Sequence, residues 1–178
     1  VLVSNQGLFK IDIPTATIEK KYDFYYDNPK DKTLTRDLYI DKNGEVWIAT
    51  QHGLYILNPV TEEYTRYLHS KSDPFSLTNN SVWQIMEDHQ KNVWIGTYSG
   101  GLCYVNLDEK IRFNTFTTKE TPLNHNLVSS FVEDEKYIWV ATEGGGLNKI
   151  DKKTGAFSFL TNNPLDNNSL SFNNIKSI

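Results

Sequence analysis

One short pattern recurs along the chain at a nearly constant spacing. It reads WIAT at residues 47–50, WIGT at 94–97 and WVAT at 139–142, so the tryptophans lie 47 and 45 residues apart. Each copy is followed within a few residues by Gly-Leu, and a degenerate fourth copy, VLVS at 1–4 with Gly-Leu at 7–8, opens the chain. A repeat of about 40–50 residues that carries several short strands is typical of one β-propeller blade. The chain is therefore a repeat array.

Each full repeat unit contains four short segments with strand signals. In the second unit these are DLYID (37–41), EVWIAT (45–50), GLYIL (53–57) and YTRYL (64–68), and the next two units repeat the same plan. Asn43-Gly44, between the first two segments, predicts a two-residue hairpin turn of type I′. No segment has a sustained apolar period of about 3.6 residues, so we expect almost no helix.

The apolar residues beside the tryptophans predict how the units stack. Val46, Ile48, Val93, Ile95, Ile138 and Val140 alternate with the tryptophans, so one set should face one neighbouring blade and the other set the opposite neighbour. Because Trp47, Trp94 and Trp139 recur in register, we expect them in the core. Cys103 stands between Leu102 and Tyr104 in a strand segment, which predicts a buried and unreactive thiol.

The fold class that this pattern predicts is all-β, a β-propeller of about four blades with four antiparallel strands each. The unit boundaries fall at 1–33, 34–80, 81–126 and 127–172, and residues 173–178 begin a further blade as part of a strand over 174–178. That last strand could pair with the first unit and close a small ring. Alternatively the chain is just over half of a larger propeller, with open edges that invite dimerisation, and we expect the second arrangement.

Composition and spacing exclude several functions. A net charge of −4, with cationic residues scattered along the chain and clustered no further than pairs such as Lys20-Lys21, disfavours a nucleic-acid partner. The histidines (His52, His69, His89, His125) have no metal-ligand spacing, and Gly144-Gly145-Gly146 has neither the Lys-Ser/Thr nor the helix of a phosphate loop, so we expect no metal and no cofactor. No apolar run is long enough to span a membrane. The chain opens in the middle of a repeat, so we expect it to be a piece of a longer protein.

A set of motifs recurs together and in order. The third unit reads Val82 to Glu87-Asp88, then VWIGT (93–97), then Gly100-Gly101-Leu102 to Asn106, and the loop before it carries SLTNN (76–80). This combination resembles the two-component regulator propeller repeat, which builds the extracytoplasmic sensor domains of hybrid histidine kinase/response-regulator proteins in Bacteroides-type bacteria. The opening unit departs from the pattern, because Val1 replaces the tryptophan.

The resemblance implies a fold, a location and a function. Propellers of that family have about seven blades, lie in the periplasm and detect oligosaccharides released from glycans. A histidine kinase elsewhere in the parent chain would then carry the signal. The implied role of this segment is carbohydrate sensing without catalysis, and the open edges lead us to expect a homodimer. None of the kinase motifs stands in these residues.

Positions that differ between units at the same place are free to contact a ligand. The loops between second and third strands and the loops between blades should open on one face of the propeller, which we call the loop face. The variable slot in the first strand of each unit holds Arg36, Trp83, Ser129 or Lys176. Sugars present hydroxyl groups and a flat apolar face, so aromatic, amide and charged side chains suit them. The candidate ligand-binding residues are Trp83, Arg36, Lys176, His52, Tyr98 and Glu143, and the arginine and lysine would suit a sulfated or uronic glycan.

Two other functions compete with sensing. A glycan-cleaving propeller needs paired carboxylates that converge on the channel, whereas Glu87-Asp88 and Glu133-Asp134 recur in register at the opposite end and so read as structural. A protein-interaction or dimerisation propeller without direct ligand binding is the stronger alternative. The Gly-His and Trp-Asp signatures of WD repeats are absent.

Overall fold

Short β-strands account for all the regular structure of the described residues. The computed structural model describes residues 2–4, 7–108, 110–119 and 121–178, with side chains from residue 7 onward. Blade 1 contains β1 (Leu2–Ser4), β2 (Gly7–Asp12) and β3 (Thr17–Tyr22). Blade 2 contains β4 (Thr35–Ile40), β5 (Val46–Thr50), β6 (Gly53–Leu57) and β7 (Tyr64–Tyr67). Blade 3 contains β8 (Val82–Glu87), β9 (Asn92–Thr97), β10 (Leu102–Asn106) and β11 (Asn114–Phe116). Blade 4 contains β12 (Val128–Glu133), β13 (Tyr137–Thr142), β14 (Gly146–Asp151) and β15 (Phe157–Leu160).

Each blade is an antiparallel sheet whose strands follow chain order. Blade 1 has three strands and the other blades have four, and each strand pairs only with its neighbours within the blade. This arrangement confirms the predicted all-β fold of a partial β-propeller. The prediction that Val1 takes the place of a tryptophan lies outside the described residues. None of the described residues forms a helix that could cross a membrane.

The two faces of each sheet pack as the alternation predicts. Trp47 and Ala49 of β5 pack against Val93 and Ile95 of β9, so the tryptophan face of blade 2 contacts blade 3. On its other face, Ile48 packs with Leu8 and Phe24 of the first unit. The same pairing joins the tryptophan face of blade 3 to blade 4. Stacking of neighbours therefore supplies the core, as in other repeat arrays.

The core prediction holds for two of the three tryptophans. Trp47 and Trp94 are buried, at 1% and 6% exposure, whereas Trp139 is only half-buried. No further blade follows blade 4 in the described chain, so the tryptophan face of blade 4 is open. On that face Val132 is 43% exposed and Leu160 is 52% exposed. Trp139 occupies the core position of its repeat without a neighbouring sheet to cover it.

The hairpin between the first and second strands is not the predicted type I′ turn. Asp41 N donates to Glu45 O (3.0 Å) and Gly44 N donates to Asp41 O (3.0 Å), so three residues form the loop. Only Gly44 of these has a positive φ, 81°, which is the three-residue hairpin with a glycine at the left-handed position. The Asp41 carboxylate accepts the amides of Asn43 and Glu45, both at 2.9 Å, and this cap favours the longer loop.

The same aspartate also binds the repeat tryptophan. Asp41, Asp88 and Asp134 accept the indole N–H of Trp47, Trp94 and Trp139 at 3.2, 2.7 and 2.6 Å. Each aspartate thus joins its hairpin to the tryptophan beside it, and Asp88 is 3% exposed. The hydrogen bond from Trp139 and those from backbone amides hold the pKa of Asp134 below its usual range.

The Gly-Leu pairs begin the third strand of each blade for a steric reason. Gly101 has a φ of 80°, and a Cβ there would lie 2.1 Å from the Phe116 carbonyl oxygen. Gly146 has a φ of 74°, and its Cβ would lie 2.3 Å from the Leu160 carbonyl oxygen. Only glycine tolerates both the conformation and the close approach of the fourth strand.

The final segment does not form the predicted strand over 174–178. Asn174 makes an isolated bridge with Glu143, and Ile178 N donates to Ser130 Oγ (3.4 Å). The amides at the same repeat position in blades 3 and 4 also donate to a side chain of the preceding blade. Ile85 N donates to Asp37 and Phe131 N donates to Gln84, both at 2.9 Å. The segment therefore lies where the first strand of a further blade would lie. Within the described chain no strand pairs blade 4 with blade 1, so a small closed ring is not formed here.

Candidate functional site

The two sets of loops that define the loop face are hydrogen-bonded to each other. In three inter-blade loops, an asparagine near the loop end accepts an amide of the preceding blade through its backbone carbonyl: Gly53 N donates to Asn80 O (2.6 Å), Gly101 N to Asn126 O (2.7 Å) and Gly146 N to Asn173 O (2.8 Å). The side-chain oxygens of the same asparagines accept His69 N, Thr118 N and Asn162 N. These asparagines hold the loops in place, so the variable residues are the better candidates for ligand contact.

A β-bulge positions the variable slot in each of three blades. The register of the first strand shifts between Thr35 and Asp37, between Val82 and Gln84, and between Val128 and Ser130. Arg36, Trp83 and Ser129 are therefore the extra residues of the three bulges. A bulge bends the strand and redirects one side chain away from the regular pleat. The alignment of these three positions, made from sequence, corresponds to a repeated backbone feature.

The structure brings three of the predicted residues together. The Arg36 guanidinium lies over the Trp83 ring, 4.5 Å from its centroid. The Trp83 ring in turn stacks on Tyr98, with centroids 6.1 Å apart and an angle of 20° between the planes. Tyr98 is 49% exposed, whereas Trp83 and Arg36 are half-buried. The three side chains form a layered cluster that joins β4 and β8 to the loop after β9, and we call it the arginine–aromatic cluster.

His52 lies beside this cluster on the loop of blade 2. Its ring stacks on Tyr26 at 3.6 Å, and its Nδ1 is 3.0 Å from Thr33 Oγ1. Burial lowers the pKa of His52, and the positive charges of Arg66 and Arg36 lower it further, although Asp27 acts in the opposite direction. Burial and the two arginines therefore disfavour the protonated form of this imidazole.

The remaining two predicted residues form a pair with each other. Lys176 makes an ion pair with Glu143, and these residues have 71% and 18% of their side chains exposed. The aligned slot residue in blade 4, Ser129, donates to Ile175 O at 2.6 Å. Because Lys176 and Glu143 neutralise each other, Lys176 is a weaker candidate than Arg36 for binding an anionic ligand.

Arg66 was not predicted from sequence, although the structure places it with His52. It lies on β7, where Nε donates to His52 O (2.8 Å) and Nη1 donates to Tyr26 O (2.7 Å). Its neighbour across the sheet is Tyr55, and the corresponding pairs in the next blades are Cys103 with Thr115 and Asn148 with Phe159. The residue at this fourth-strand position therefore differs between units. The comparison of aligned units that was made for the first strand would also have identified Arg66.

The recurring acidic pairs at the opposite end are occupied by structural contacts. Asp88 binds Trp94, as described above, and Glu87 accepts the Tyr39 hydroxyl. Glu133 accepts Lys152 Nζ (2.6 Å) and His89 Nδ1 (2.5 Å). In the described ranges no group of His, Cys, Asp and Glu could hold a metal ion. These carboxylates act in blade packing.

Cys103 is buried as expected. It is fully enclosed, and burial raises the pKa of its thiol to about 12 although hydrogen bonds from Thr78 act against this. The position corresponds to Tyr55 and Asn148, whose side chains also bind an incoming inter-blade loop, at Tyr25 O and Asn124 N. Cys103 occupies this position in blade 3, next to Thr78 of the incoming loop.

Comparison with known proteins gives one family match and several similar folds. Residues 76–99 match the family model described as two component regulator propeller. The extracellular domain of the hybrid two component system BT3049 from B. thetaiotaomicron matches with 23% identity and a TM-score of 0.75, over 89% of this chain and 22% of that one. Virginiamycin B lyase from Staphylococcus aureus matches with 17% identity and a TM-score of 0.60, over 90% of this chain and 50% of that one. None of the curated proteins matches.

These matches agree with the repeat pattern read from the sequence. The matched residues contain SLTNN, the first strand of blade 3 and the whole WIGT strand, which are among the motifs that carried the resemblance. The chain spans less than a quarter of the BT3049 domain and half of the lyase. At such identities the two structures support the fold. The chain is thus a partial β-propeller, and its residues 76–99 match the model of the two component regulator propeller repeat.

Proposed function

We propose that this chain is part of the extracytoplasmic sensor of a hybrid two-component system and that its loop face binds a glycan-derived oligosaccharide. Binding would be transmitted to a histidine kinase elsewhere in a membrane-anchored parent chain. The observation that carries the proposal is the arginine–aromatic cluster, which a bulge places on the loop face of a family-type repeat. The family match and the fold of the BT3049 extracellular domain support the sensor role and the periplasmic location.

The cluster has the chemistry that sugar recognition needs. Tyr98 offers a half-exposed flat ring for the C–H face of a pyranose. Arg36 offers hydrogen-bond donors over the adjacent Trp83 ring, and its Nη1 donates to Ser81 Oγ at 2.9 Å. A few convergent polar groups next to an apolar surface are typical of ligand sites. We propose binding without catalysis, because the recurring carboxylates are engaged in packing contacts.

A second candidate function is protein interaction or homodimerisation. The tryptophan face of blade 4, with Val132, Trp139 and Leu160, corresponds to faces that the next blade covers in blades 2 and 3. Exposed apolar faces of this kind often mark interaction sites. A further blade of the parent chain or a second copy would cover it.

The test is a thermal-shift screen of this chain against neutral and acidic oligosaccharides. A ligand that binds only the folded state raises the melting temperature by mass action. We expect a hit whose affinity falls up to about tenfold in Tyr98→Ala and Trp83→Ala, since a ring contact contributes about 0.5–1.5 kcal/mol. The control is Phe159→Ala, a half-exposed ring on blade 4, which should leave affinity unchanged.

The contrary outcome is also informative. If no sugar raises the melting temperature, direct sensing by this segment is wrong. A dimer in sedimentation velocity, in the same preparation, would then favour the interaction function.

A further inference from the structure

Arg36 carries a charge that nothing in the described protein balances. The ion pairs of the described residues all use lysines or His89, and none involves Arg36. The adjacent carboxylate, Asp37, accepts the amides of Ile85 and Leu38 instead, both at 2.9 Å. Burial lowers the pKa of the Arg36 guanidinium, and no carboxylate offsets this effect. A partly desolvated charge is costly unless it is paired.

The guanidinium is held in a fixed orientation with donors to spare. Nη1 donates to Ser81 Oγ (2.9 Å) and to Val82 O (3.0 Å), and the plane lies over Trp83. Nε and Nη2 have no acceptor within the described ranges. Arginine in such a setting is suited to bidentate binding of a carboxylate or sulfate group. Because the group is already positioned, an anion would not have to order it.

The surroundings of Arg36 are also electropositive. Arg66 has no carboxylate partner in the described part of the chain, and its hydrogen bonds go to two backbone carbonyls. In addition to burial, the positive charges of both arginines lower the pKa of His52, which also lies on the loop face. Arg36 lies on β4 and Arg66 on β7, with β5 and β6 between them, and both guanidinium groups add positive potential at the loop face that would attract an anion.

The other slots provide an internal control. Lys176 stands in the same aligned position but is neutralised by Glu143, and Ser129 in that position is satisfied by two backbone carbonyls, at 3.1 and 2.6 Å. The unbalanced charge is therefore a property of the boundary between blades 2 and 3. It is not a general feature of the bulge.

From these observations we propose that the arginine–aromatic cluster binds an acidic sugar, with Arg36 on its carboxylate or sulfate group and Tyr98 beside its ring. This inference rests on the proposed function and narrows the ligand to anionic oligosaccharides. Both ligand types carry an oxyanion on a pyranose ring, either a planar carboxylate or a tetrahedral sulfate. Trp83 supports both binding residues, because the Arg36 guanidinium lies over its ring and the Tyr98 ring stacks with it.

The experiment is isothermal titration of this chain with matched pairs of oligosaccharides. One pair is an oligogalacturonide and its carboxyl-reduced form, and the other is a sulfated glycosaminoglycan oligosaccharide and its desulfated form. We expect one acidic member to bind and its neutral counterpart to bind at least about tenfold more weakly, as loss of a charge-assisted hydrogen bond requires. Which pair responds distinguishes a carboxylate from a sulfate.

Two variants of Arg36 and one control locate the anion. Arg36→Gln should weaken the acidic ligand by about tenfold or more and remove the preference over the neutral form, whereas Arg36→Lys should recover part of the affinity. Arg112→Gln is the matched control, because Arg112 is exposed and lies over Phe75 at 3.9 Å; it should change nothing. Circular dichroism and the melting temperature establish that each variant is folded.

The titrations distinguish failure of the anion inference from failure of the sugar-sensing proposal. If acidic and neutral members bind equally, or if folded Arg36→Gln keeps the preference, the anion inference is wrong while sugar sensing stands. If no sugar binds, both are wrong.

Discussion

At the scale of single residues, each repeat depends on one aspartate. Asp88 accepts the amides of Gln90 and Asn92 through one oxygen, at 2.8 and 2.9 Å. Its other oxygen accepts Trp94 Nε1 at 2.7 Å. Hairpin and core tryptophan are thus joined by one nearly enclosed carboxylate, which the sequence showed only as a recurring acidic position.

Substitution of this aspartate should be costly. Asp88→Asn replaces one accepting oxygen by an NH2 group that faces existing donors, and leaves them unsatisfied. We expect the free energy of unfolding to fall by about 1–3 kcal/mol, measured by urea denaturation. Asp108→Asn is the control, because Asp108 is 64% exposed in its pair with Lys42 and should cost less than about 1 kcal/mol. Equal effects of the two substitutions would contradict the role assigned to Asp88.

The candidate site was predictable from sequence at the level of positions but not of contacts. Variation between aligned units identified Arg36, Trp83 and Tyr98. The pairing of Lys176 with Glu143 depends on a contact between a loop and the end of the chain, which no local pattern encodes. Arg66 was missed because only loops and first strands were compared.

At the scale of elements, the strand order and the period predicted the blades well. Alternation and turn residues placed most strand ends within about two residues, as expected for strongly patterned segments. The hairpin type was wrong because a carboxylate cap, and not the Asn-Gly pair, decides the loop length. In blade 3 the corresponding left-handed residue is Lys91, with a φ of 68°, so the geometry does not require glycine.

Glu133 of blade 4 makes a polar contact with His89 of blade 3. Only 6% of its side chain is exposed. Burial raises its pKa, but hydrogen bonds from Lys152 and His89 outweigh burial and hold the pKa below the usual 4.5. A carboxyl group with a lowered pKa stabilises the fold above its unfolded pKa, and this stability is lost as pH falls through the folded value.

The pH dependence of stability tests this contact. Glu133→Gln should lower the free energy of unfolding at pH 7 by about 1–3 kcal/mol, and should flatten its decline below about pH 4.5. Urea denaturation at a series of pH values measures both effects. Glu135→Gln, at an exposed neighbouring position, should reproduce the parent profile. A Glu133→Gln profile as steep as the parent's would show that other carboxyl groups control acid stability.

At the scale of the whole molecule, the described chain has two different ends. The tryptophan face of blade 4 lacks a neighbour, and the last residues follow the path of a further first strand. Sequence period could predict this open arrangement because the blades are local units. The period does not encode how many blades a complete propeller of this kind contains.

Binding of an acidic oligosaccharide at the loop face should be visible in hydrogen–deuterium exchange measured with and without the ligand identified by titration. We expect slower exchange around residues 34–37, 81–84 and 98–100, with no change at the hairpins 41–45 and 88–92 on the opposite side. Slower exchange at those hairpins or across the open face of blade 4, with the loop face unaltered, would contradict it.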